Sequence, residues 1–202
     1  MINSKDDLKK YLEADEIARF GRRASFRDKL VAGKMWKFNI LLRKEEFNCN
    51  CRKGFIKKIL SLYYKIKRRN IAYKTGWFVE PNTVEKGFCI VHVGPVIISE
   101  YASIGKNCKV QAMVNIGANN GIKKAPQLGD NVYIGPGAKL FGDIKIGSNV
   151  AVGANAVVNK SFDEDGITIG GVPAKKISDH GSELMINKKL KELDYKIDTG
   201  VQ

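Results

Sequence analysis

The chain has 202 residues, with 35 lysines and arginines against 21 acidic residues, and a formal net charge of +14 at pH 7. It contains no apolar run long enough to span a membrane, and because residues 1–7 are polar we expect no secretion signal there. Its four cysteines include no two pairs at zinc-ligand spacing, so we expect free thiols in a reducing cytoplasm. No recognition helix, zinc finger or RNA-binding aromatic strand accompanies the positive charge, which favours a small anionic partner over nucleic acid.

Residues 1–74 are patterned as helices. Ser4 and Asp7 form a capping-box signature ahead of apolar residues spaced for one face of a helix. A second helix is expected over 33–48 and a third over about 54–70. The third mixes apolar residues with lysines and arginines and has no acidic residue. We expect it to pack one face on the end of the following domain and to expose a basic face; a helix lying on a membrane surface is the alternative.

A six-residue period dominates the second half of the chain, and neither an α-helix nor an ordinary strand has that period. The aliphatic residues in this phase are Ile98, Ile104, Val110, Ile116, Ile122, Leu128, Ile134, Leu140, Ile146, Val152 and Val158. The repeat predicts a parallel β-helix with three hexapeptides per turn and roughly three and a half turns. Smaller or branched residues four places later should fill the interior beside them. Glycine often follows the aliphatic residue, and we expect it at corners that need a positive φ.

The polar stretch 118–126 keeps the phase through Ile122 but is composed like a loop, so we expect it to leave the coil. The predicted organisation is a helical segment over 1–74, a β-helical domain over 75–178 and a polar tail over 179–202.

Three motifs frame the repeat: CIVHVGPVII at 89–98, VNIG at 114–117 and GGVPAK at 170–175. With them, residues 75–178 resemble the hexapeptide acyltransferases of the left-handed β-helix class. The likeness is greatest to the serine acetyltransferases and their relatives in bacterial polysaccharide biosynthesis. The resemblance implies a mostly β fold, a left-handed parallel β-helix after an N-terminal α-helical segment. It also implies a homotrimer, acetyl-CoA as the donor and an acceptor hydroxyl bound in a cleft between subunits.

His92 matches the catalytic histidine of that family. It lies six residues before Ile98, where the repeat calls for an aliphatic residue. A neutral imidazole can take the proton of an alcohol as the alcohol attacks a thioester. The alternative is a structural histidine. Glu80 is the nearest carboxylate that could orient the ring, but we favour a solvated Glu80, and a main-chain carbonyl could fix the tautomer equally well.

On the acceptor side the chain departs from the serine enzymes. Val91 stands where they have an Asp directly before the catalytic His, and Lys124-Ala125-Pro126 stands where they have Arg-His-Pro. Lys124 could bind the carboxylate of an amino acid, but Val91 cannot bind its ammonium group. We therefore predict a sugar or glycan hydroxyl as the acceptor, with serine in cysteine biosynthesis as the alternative.

For the donor, the resemblance implies a groove along the coil with cations at its phosphate end. The residues assigned to it are Asn115, Gly117, Ala118, Gly135, Ala138, Gly153, Pro173, Ala174, Lys175 and Lys176. Main-chain N–H groups near Gly117 are candidates for stabilising an oxyanion. The small residues could equally serve corner geometry, and the lysines could be a solvated pair.

The predicted chemistry is direct acetyl transfer without a covalent acetyl-enzyme, because no Ser or Cys has an evident base partner. No metal is expected, since zinc bound as in some other β-helices needs three histidines and the chain has two. A non-enzymatic β-helix scaffold is an alternative of another class. The expected location is the cytoplasm, with attachment of helix 54–70 to the inner face of the membrane as an added possibility.

Overall fold

The computed structural model describes residues 1–119, 121–190 and 192–193. Three long helices come first: α1 is Lys5–Phe20, α2 is Phe26–Cys51 and α3 is Gly54–Thr75. Short strands follow, namely β1 Trp77–Val79, β2 Cys89–Ile90, β3 Val96–Ile98, β4 Ser103–Ile104, β5 Lys109–Val110, β6 Val114–Gly117, β7 Gln127–Leu128, β8 Tyr133–Ile134, β9 Lys139–Phe141, β10 Lys145–Ile146, β11 Ala151–Val152, β12 Val157–Val158, β13 Thr168–Gly170 and β14 Lys175–Ser178.

The strands form the three faces of a coil. Face A has the order β1-β3-β6-β9-β12, face B the order β10-β7-β4, and face C the order β14-β13-β11-β8-β5-β2. Every pairing within the coil is parallel except that of β13 with β14, which is antiparallel. Regular coils advance eighteen residues, as from Ile134 to its partner Val152. The predicted parallel β-helix is therefore confirmed.

The predicted axial residues line the interior. All are buried except Ile122, which is 56% exposed in the loop that leaves the coil. This loop makes the coil that carries it longer, because Ile116 pairs with Leu140, twenty-four residues on. The insertion is one hexapeptide in length, which explains why the phase of the sequence passes through it unchanged.

The corners differ from the prediction. Glycines that directly follow an axial residue, such as Gly135, do not have positive φ. A Cβ on Gly135 would lie 2.8 Å from the main-chain nitrogen of Ala154, so the requirement there is close packing of neighbouring coils. Positive φ falls three residues after the axial position, at Asn107, Asn131 and Asn149 among others. Asparagine tolerates this conformation because its short polar side chain can hydrogen-bond locally.

The second and third helices are longer than predicted. Ser4 caps α1 by accepting a hydrogen bond from the Asp7 N–H, but the Asp7 carboxylate accepts from Asn3 rather than closing a capping box. The second helix begins at Phe26, and Gly33, its predicted start, is instead a kink with φ 51° and ψ −117°. The third helix continues to Thr75 and ends at Gly76, whose φ is 79°.

Buried ion pairs join the helices to the first coils. Arg43 of α2 donates from Nε to Asp15 Oδ2 at 2.8 Å and from Nη1 to Glu46 Oε2 at 3.0 Å. It also donates to the main-chain oxygens of Val84 and Glu85. Burial would lower the pKa of Arg43, but the neighbouring carboxylates outweigh burial and raise it. Sequence analysis did not predict this cluster.

The expectation for α3 was wrong over most of its length. Only Arg68, Ile71, Ala72 and Thr75, in the last two turns, are fully buried. Before them the helix contacts α2 through Ser61 and Tyr64, and not the end of the coil. Most apolar residues of the first four turns are exposed instead of packed on the coil, namely Phe55, Ile56, Ile59, Leu62, Tyr63 and Ile66. Within the described residues, no helix is both long enough and apolar enough to cross a bilayer.

The predicted polar tail is partly an integral element. Ile186 and Leu190 are buried in a small cluster with Ala14 and Ile17 of α1. The Ser182 N–H donates to the carbonyl of Asn149, which attaches this segment to the coil. Residues 191 and 194–202 of the predicted tail lie outside the described residues.

Candidate active site

His92 is exposed at the corner between face C and face A, in the turn from β2 to β3. The spacing of His92 from Ile98 suggested that its side chain points to the axis of the coil, but the structure shows that it does not. The axial position belongs to Ile90, which pairs with Val110. The twenty residues from Ile90 to Val110 exceed a regular coil by two, and the surplus lies in the corner. His92 therefore points away from the core and can meet a solute.

The corner that carries His92 continues down the coil as a column. A Cβ on Gly94 would lie 2.9 Å from that of Ala112, and the carbonyl of Ala112 accepts from the Gly137 N–H at 3.0 Å. In the following coil, Asn155 N–H donates to the carbonyl of Pro136 at 2.8 Å. The turn that contains His92 is thus the first of a column of stacked corners.

An open groove of about 420 Å³ follows this column and is lined by Met113, Pro136, Gly137, Lys139, Asn155 and Val157. Lys139 Nζ donates to the main-chain oxygens of Met113 at 2.5 Å and Gly137 at 3.0 Å. Sequence analysis missed this lysine because its outward position on β9 gives no signal in the hexapeptide pattern. The groove offers a cation and main-chain polar groups beside the histidine's corner.

The predicted donor residues divide between two edges of face A. Gly135 and Gly153 lie on the His92 corner, whereas Gly117 and Ala118 lie where β6 leaves face A for the loop. Asn115 is exposed on β6 between these edges. A Cβ on Gly117 would meet only the Asn115 side chain, at 3.3 Å, so no main chain packs against this glycine.

Two of the predicted donor residues are in the core. Ala138 and Ala174 are buried, so their side chains do not line the groove and only their main chains could contact a ligand. In the closing turn, Pro173 and Lys175 are exposed. Lys176 Nζ lies 2.6 Å from both Glu164 and Asp179, and its hydrogen bonds to Asp179 and Glu164 raise its pKa. Lys175 is therefore the better placed cation for a phosphate, since Lys176 already has two carboxylates.

Glu80 does not contact His92 in this chain. Its carboxylate lies 3.0 Å from Arg68 Nη2 and 3.4 Å from Arg69 Nη2, at the junction of α3 with the first coil. Arg68 also donates to Glu45 and to the carbonyl of Val79. The geometry favours Glu80 as part of this junction and does not support it as the carboxylate that orients His92.

The predicted acceptor residues are likewise not together in one chain. Val91 is half-buried and its N–H donates to Val110, whereas Lys124 and Ala125 belong to the loop between face A and face B. Lys124 Nζ lies 2.5 Å from Asp143 Oδ2, and this hydrogen bond raises the pKa of Lys124. Ala125 is fully buried, so its side chain cannot line a cleft.

The remaining polar chemistry is sparse. The described residues include no group of three or more His, Cys, Asp or Glu side chains arranged to hold a metal ion. Cys89 and Cys108 are buried thiols, and burial raises the pKa of each. His180 is exposed, and only its main chain has described hydrogen bonds.

Comparison with known proteins agrees with the repeat and the fold. Residues 125–160 match the family described as bacterial transferase hexapeptide (six repeats). A serine acetyltransferase of Staphylococcus aureus is 37% identical over 110 residues, which cover 53% of this chain and 51% of that protein. One from Synechococcus elongatus is 36% identical over 106 residues, covering 51% of this chain and 43% of its own length. The chain spans about half the length, or less, of these curated relatives.

Among solved structures, the serine acetyltransferase of Neisseria gonorrhoeae gives a TM-score of 0.68 at 26% identity, covering 87% of this chain and 68% of that one. These names match the alternative acceptor, serine, and not polysaccharide biosynthesis. The structural likeness confirms that the coil is a left-handed β-helix. The repeat, the fold and these relatives agree: the β-helical domain is similar to the bacterial hexapeptide transferases, and to serine acetyltransferases in particular.

Proposed function

We propose that the protein is an acetyl-CoA-dependent O-acetyltransferase in which His92 is the general base. The observation that carries the proposal is the position of His92, exposed at the head of a corner column that is followed by an open groove. The imidazole takes the proton of the acceptor hydroxyl while its oxygen attacks the thioester carbonyl carbon. The carbon–sulfur bond then breaks, the thiolate of coenzyme A takes up a proton, and the acetyl ester is released.

The separation of the site residues supports a trimer. His92 lies on one edge of face A, and Gly117, Lys124 and the loop lie at the other edge, so one chain presents two half-sites that face apart. A neighbouring copy related by rotation would place its loop edge against the His92 edge of the first. In such a cleft, main-chain N–H groups near Gly117 could stabilise the oxyanion, and Lys175 could meet a phosphate of coenzyme A.

Serine is the first acceptor to test. The relatives are named serine acetyltransferases, and the Neisseria gonorrhoeae enzyme has also been solved in complex with serine, with a TM-score of 0.66 at 25% identity to this chain. Serine as the acceptor would put the protein in cysteine biosynthesis. Its carboxylate and ammonium group would need partners, and the neighbouring subunit's loop is the part of the assembly that could provide them.

A sugar or glycan hydroxyl is the second candidate, and a specific observation favours it. Lys124 is already paired with Asp143, Ala125 is buried, and Val91 offers no charge. A zwitterion bound without opposite charges loses its hydration and gains little in return. A neutral sugar does not carry that cost.

The deciding experiment is a thiol-release assay with acetyl-CoA against serine and a panel of sugars. Efficient turnover of serine at sub-millimolar concentration, with none for any sugar, establishes the first candidate; the reverse establishes the second. If no acceptor is turned over and acetyl-CoA causes no thermal shift, the protein is a β-helical scaffold and the proposal fails. If the protein sediments as a stable monomer at micromolar concentration, the proposal of a cleft shared between subunits fails.

The proposed reaction belongs in the cytoplasm, where acetyl-CoA is made and free thiols such as Cys108 stay reduced. A lipid-linked glycan as acceptor would place it at the inner face of the membrane.

A further inference from the structure

The first four turns of α3 expose an apolar face that nothing in the described chain covers. Its exposed apolar residues are Phe55, Ile56, Ile59, Leu62, Tyr63 and Ile66. At 100° per residue they fall within about a third of the helix circumference, so they form one continuous stripe. A stripe of this size on a water-exposed helix marks a binding surface.

Cations border the stripe on both sides. Lys58 and Lys65 project along one flank, Lys67 and Lys74 along the other, and all four are exposed. The helix has no acidic residue anywhere between Gly54 and Thr75. Apolar residues in the middle with lysines at both edges are the arrangement of helices that lie in a lipid–water interface.

The opposite side of α3 makes the contacts that hold it in place. Tyr64 receives the Lys44 ammonium over its ring at 5.9 Å, and Arg68 forms its ion pair with Glu45, both on α2. These contacts fix the helix with its stripe turned away from α2. The stripe is thus presented outward on a supported helix and needs no rearrangement to be used.

We propose that this face of α3 binds the surface of an anionic lipid membrane. The apolar stripe would enter the boundary between headgroups and acyl chains, and the flanking lysines would reach lipid phosphates. A second copy of the chain is a poorer occupant, because it would bring the same lysines against these and the two helices would repel. The phosphates of a nucleic acid would pair with the lysines, but the apolar stripe would remain exposed to water. This proposal goes beyond acetyl transfer and does not depend on it.

The test is co-sedimentation of the full chain with vesicles of phosphatidylcholine alone and of phosphatidylcholine containing about one quarter phosphatidylglycerol. We expect binding to the anionic vesicles and at least about tenfold weaker binding to the neutral ones. Leu62→Asp should weaken the binding by about tenfold or more, because it puts a charge in the apolar stripe. Leu184→Asp is the matched control, since Leu184 is 94% exposed and Leu62 58% exposed, and it should bind like the parent.

A second pair of variants tests the charges. Lys58→Glu combined with Lys65→Glu should weaken binding to anionic vesicles by roughly tenfold or more, at about fivefold per lysine near the surface. Lys188→Glu combined with Lys189→Glu makes the same change in net charge on exposed residues that are not part of α3, and should have a much smaller effect.

Three results would overturn the proposal: no binding to anionic vesicles, equal binding to neutral vesicles, or equal loss with Leu62→Asp and Leu184→Asp. If Leu62→Asp instead dissociates an assembly in sedimentation while vesicles are not bound, a second copy covers the face. If the parent binds a duplex oligonucleotide and not vesicles, the occupant is a nucleic acid. None of these measurements uses acetyl-CoA, so they stand apart from the test of acetyl transfer.

Discussion

The corner at His92 and the junction between the helices and the first coils differ in the burial and hydrogen bonding of their polar side chains. At the junction Arg43 is fully buried and has a partner for every donor group that the structure describes. At the corner His92 is exposed, and no described residue hydrogen-bonds its ring. A buried guanidinium that lost its partners would destabilise the fold, whereas an exposed imidazole costs the fold nothing. The comparison separates side chains that hold the molecule together from one that is free to act on a solute.

The largest expected effect is that of His92→Ala, which should remove activity without changing stability. We expect turnover to fall by about two to four orders of magnitude, the usual scale for loss of a general base. The unfolding midpoint should not change, because the exposed ring has no described hydrogen bond or ion pair to lose. The measurement is thiol release with whichever acceptor the thiol-release assay identifies, together with thermal unfolding. His180→Ala is the matched control, since it removes the chain's other histidine, and it should keep full activity. Near-normal turnover in the His92 variant would remove this residue from the mechanism.

The junction should show the opposite pattern with Arg43→Met. Two buried carboxylates, Asp15 and Glu46, would lose their shared partner, and breaking a buried ion pair from one side costs about 3–5 kcal/mol. Urea unfolding followed by circular dichroism measures the loss. Arg52→Met, at the C-cap that follows the same helix, is the control, because Arg52 is exposed and should change stability by no more than about 0.5 kcal/mol.

A double variant sharpens this prediction. Asp15→Asn added to Arg43→Met should cost less than the sum of the single changes, since the second substitution removes a charge that the first left unpaired. Additive losses would mean that the two side chains act independently and that the ion pair does not join α1 to α2.

The two regions also differ in what sequence can predict. The coil follows from the six-residue period, because each axial residue's environment is set by neighbours at a fixed spacing. The helix junction is built from partners far apart in sequence, such as Arg43 with Asp15 and Arg68 with Glu80. No local pattern pairs those residues, so the buried ion pairs were not predicted.

The candidate site lies between these extremes. His92 was found through the family motif, but its register was not, because two surplus residues in the corner move it off the axis. The donor residues were predicted by similarity, and Ala138 and Ala174 proved to be buried because they fall in the interior slots of the repeat. Lys139 was missed, since an outward residue on a face is unconstrained by the period. The exposed face of α3 was mispredicted because an amphipathic pattern does not say whether its apolar side is covered.

Within the coil, the corner asparagines offer an intermediate test. Asn131 has φ 57°, accepts from Asn107 Nδ2 at 3.0 Å and donates to Asn149 Oδ1 at 3.2 Å. Asn131→Ala loses this ladder and forces alanine into a left-handed conformation, for which we expect a loss of about 1–3 kcal/mol. Asn131→Gly keeps the conformation and loses only the ladder, so its urea midpoint should lie between those of the parent and the alanine variant. If glycine were as damaging as alanine, the backbone conformation would contribute nothing.

The smallest effect is expected at Glu80, on the coil side of the helix junction. Arg68 keeps Glu45 and the carbonyl of Val79 when the Glu80 charge is removed, and Glu80 is partly exposed, so Glu80→Gln should cost only about 1 kcal/mol in urea unfolding. The value of kcat should stay within about twofold of the parent, because the carboxylate contacts arginines and not His92. Glu164→Gln is the control for loss of an exposed ion pair, that with Lys176, and it should leave both stability and kcat as they are. A tenfold or greater fall in kcat for Glu80→Gln, with its unfolding midpoint unchanged, would instead mean that assembly brings this carboxylate to the histidine and that Glu80 orients the ring after all.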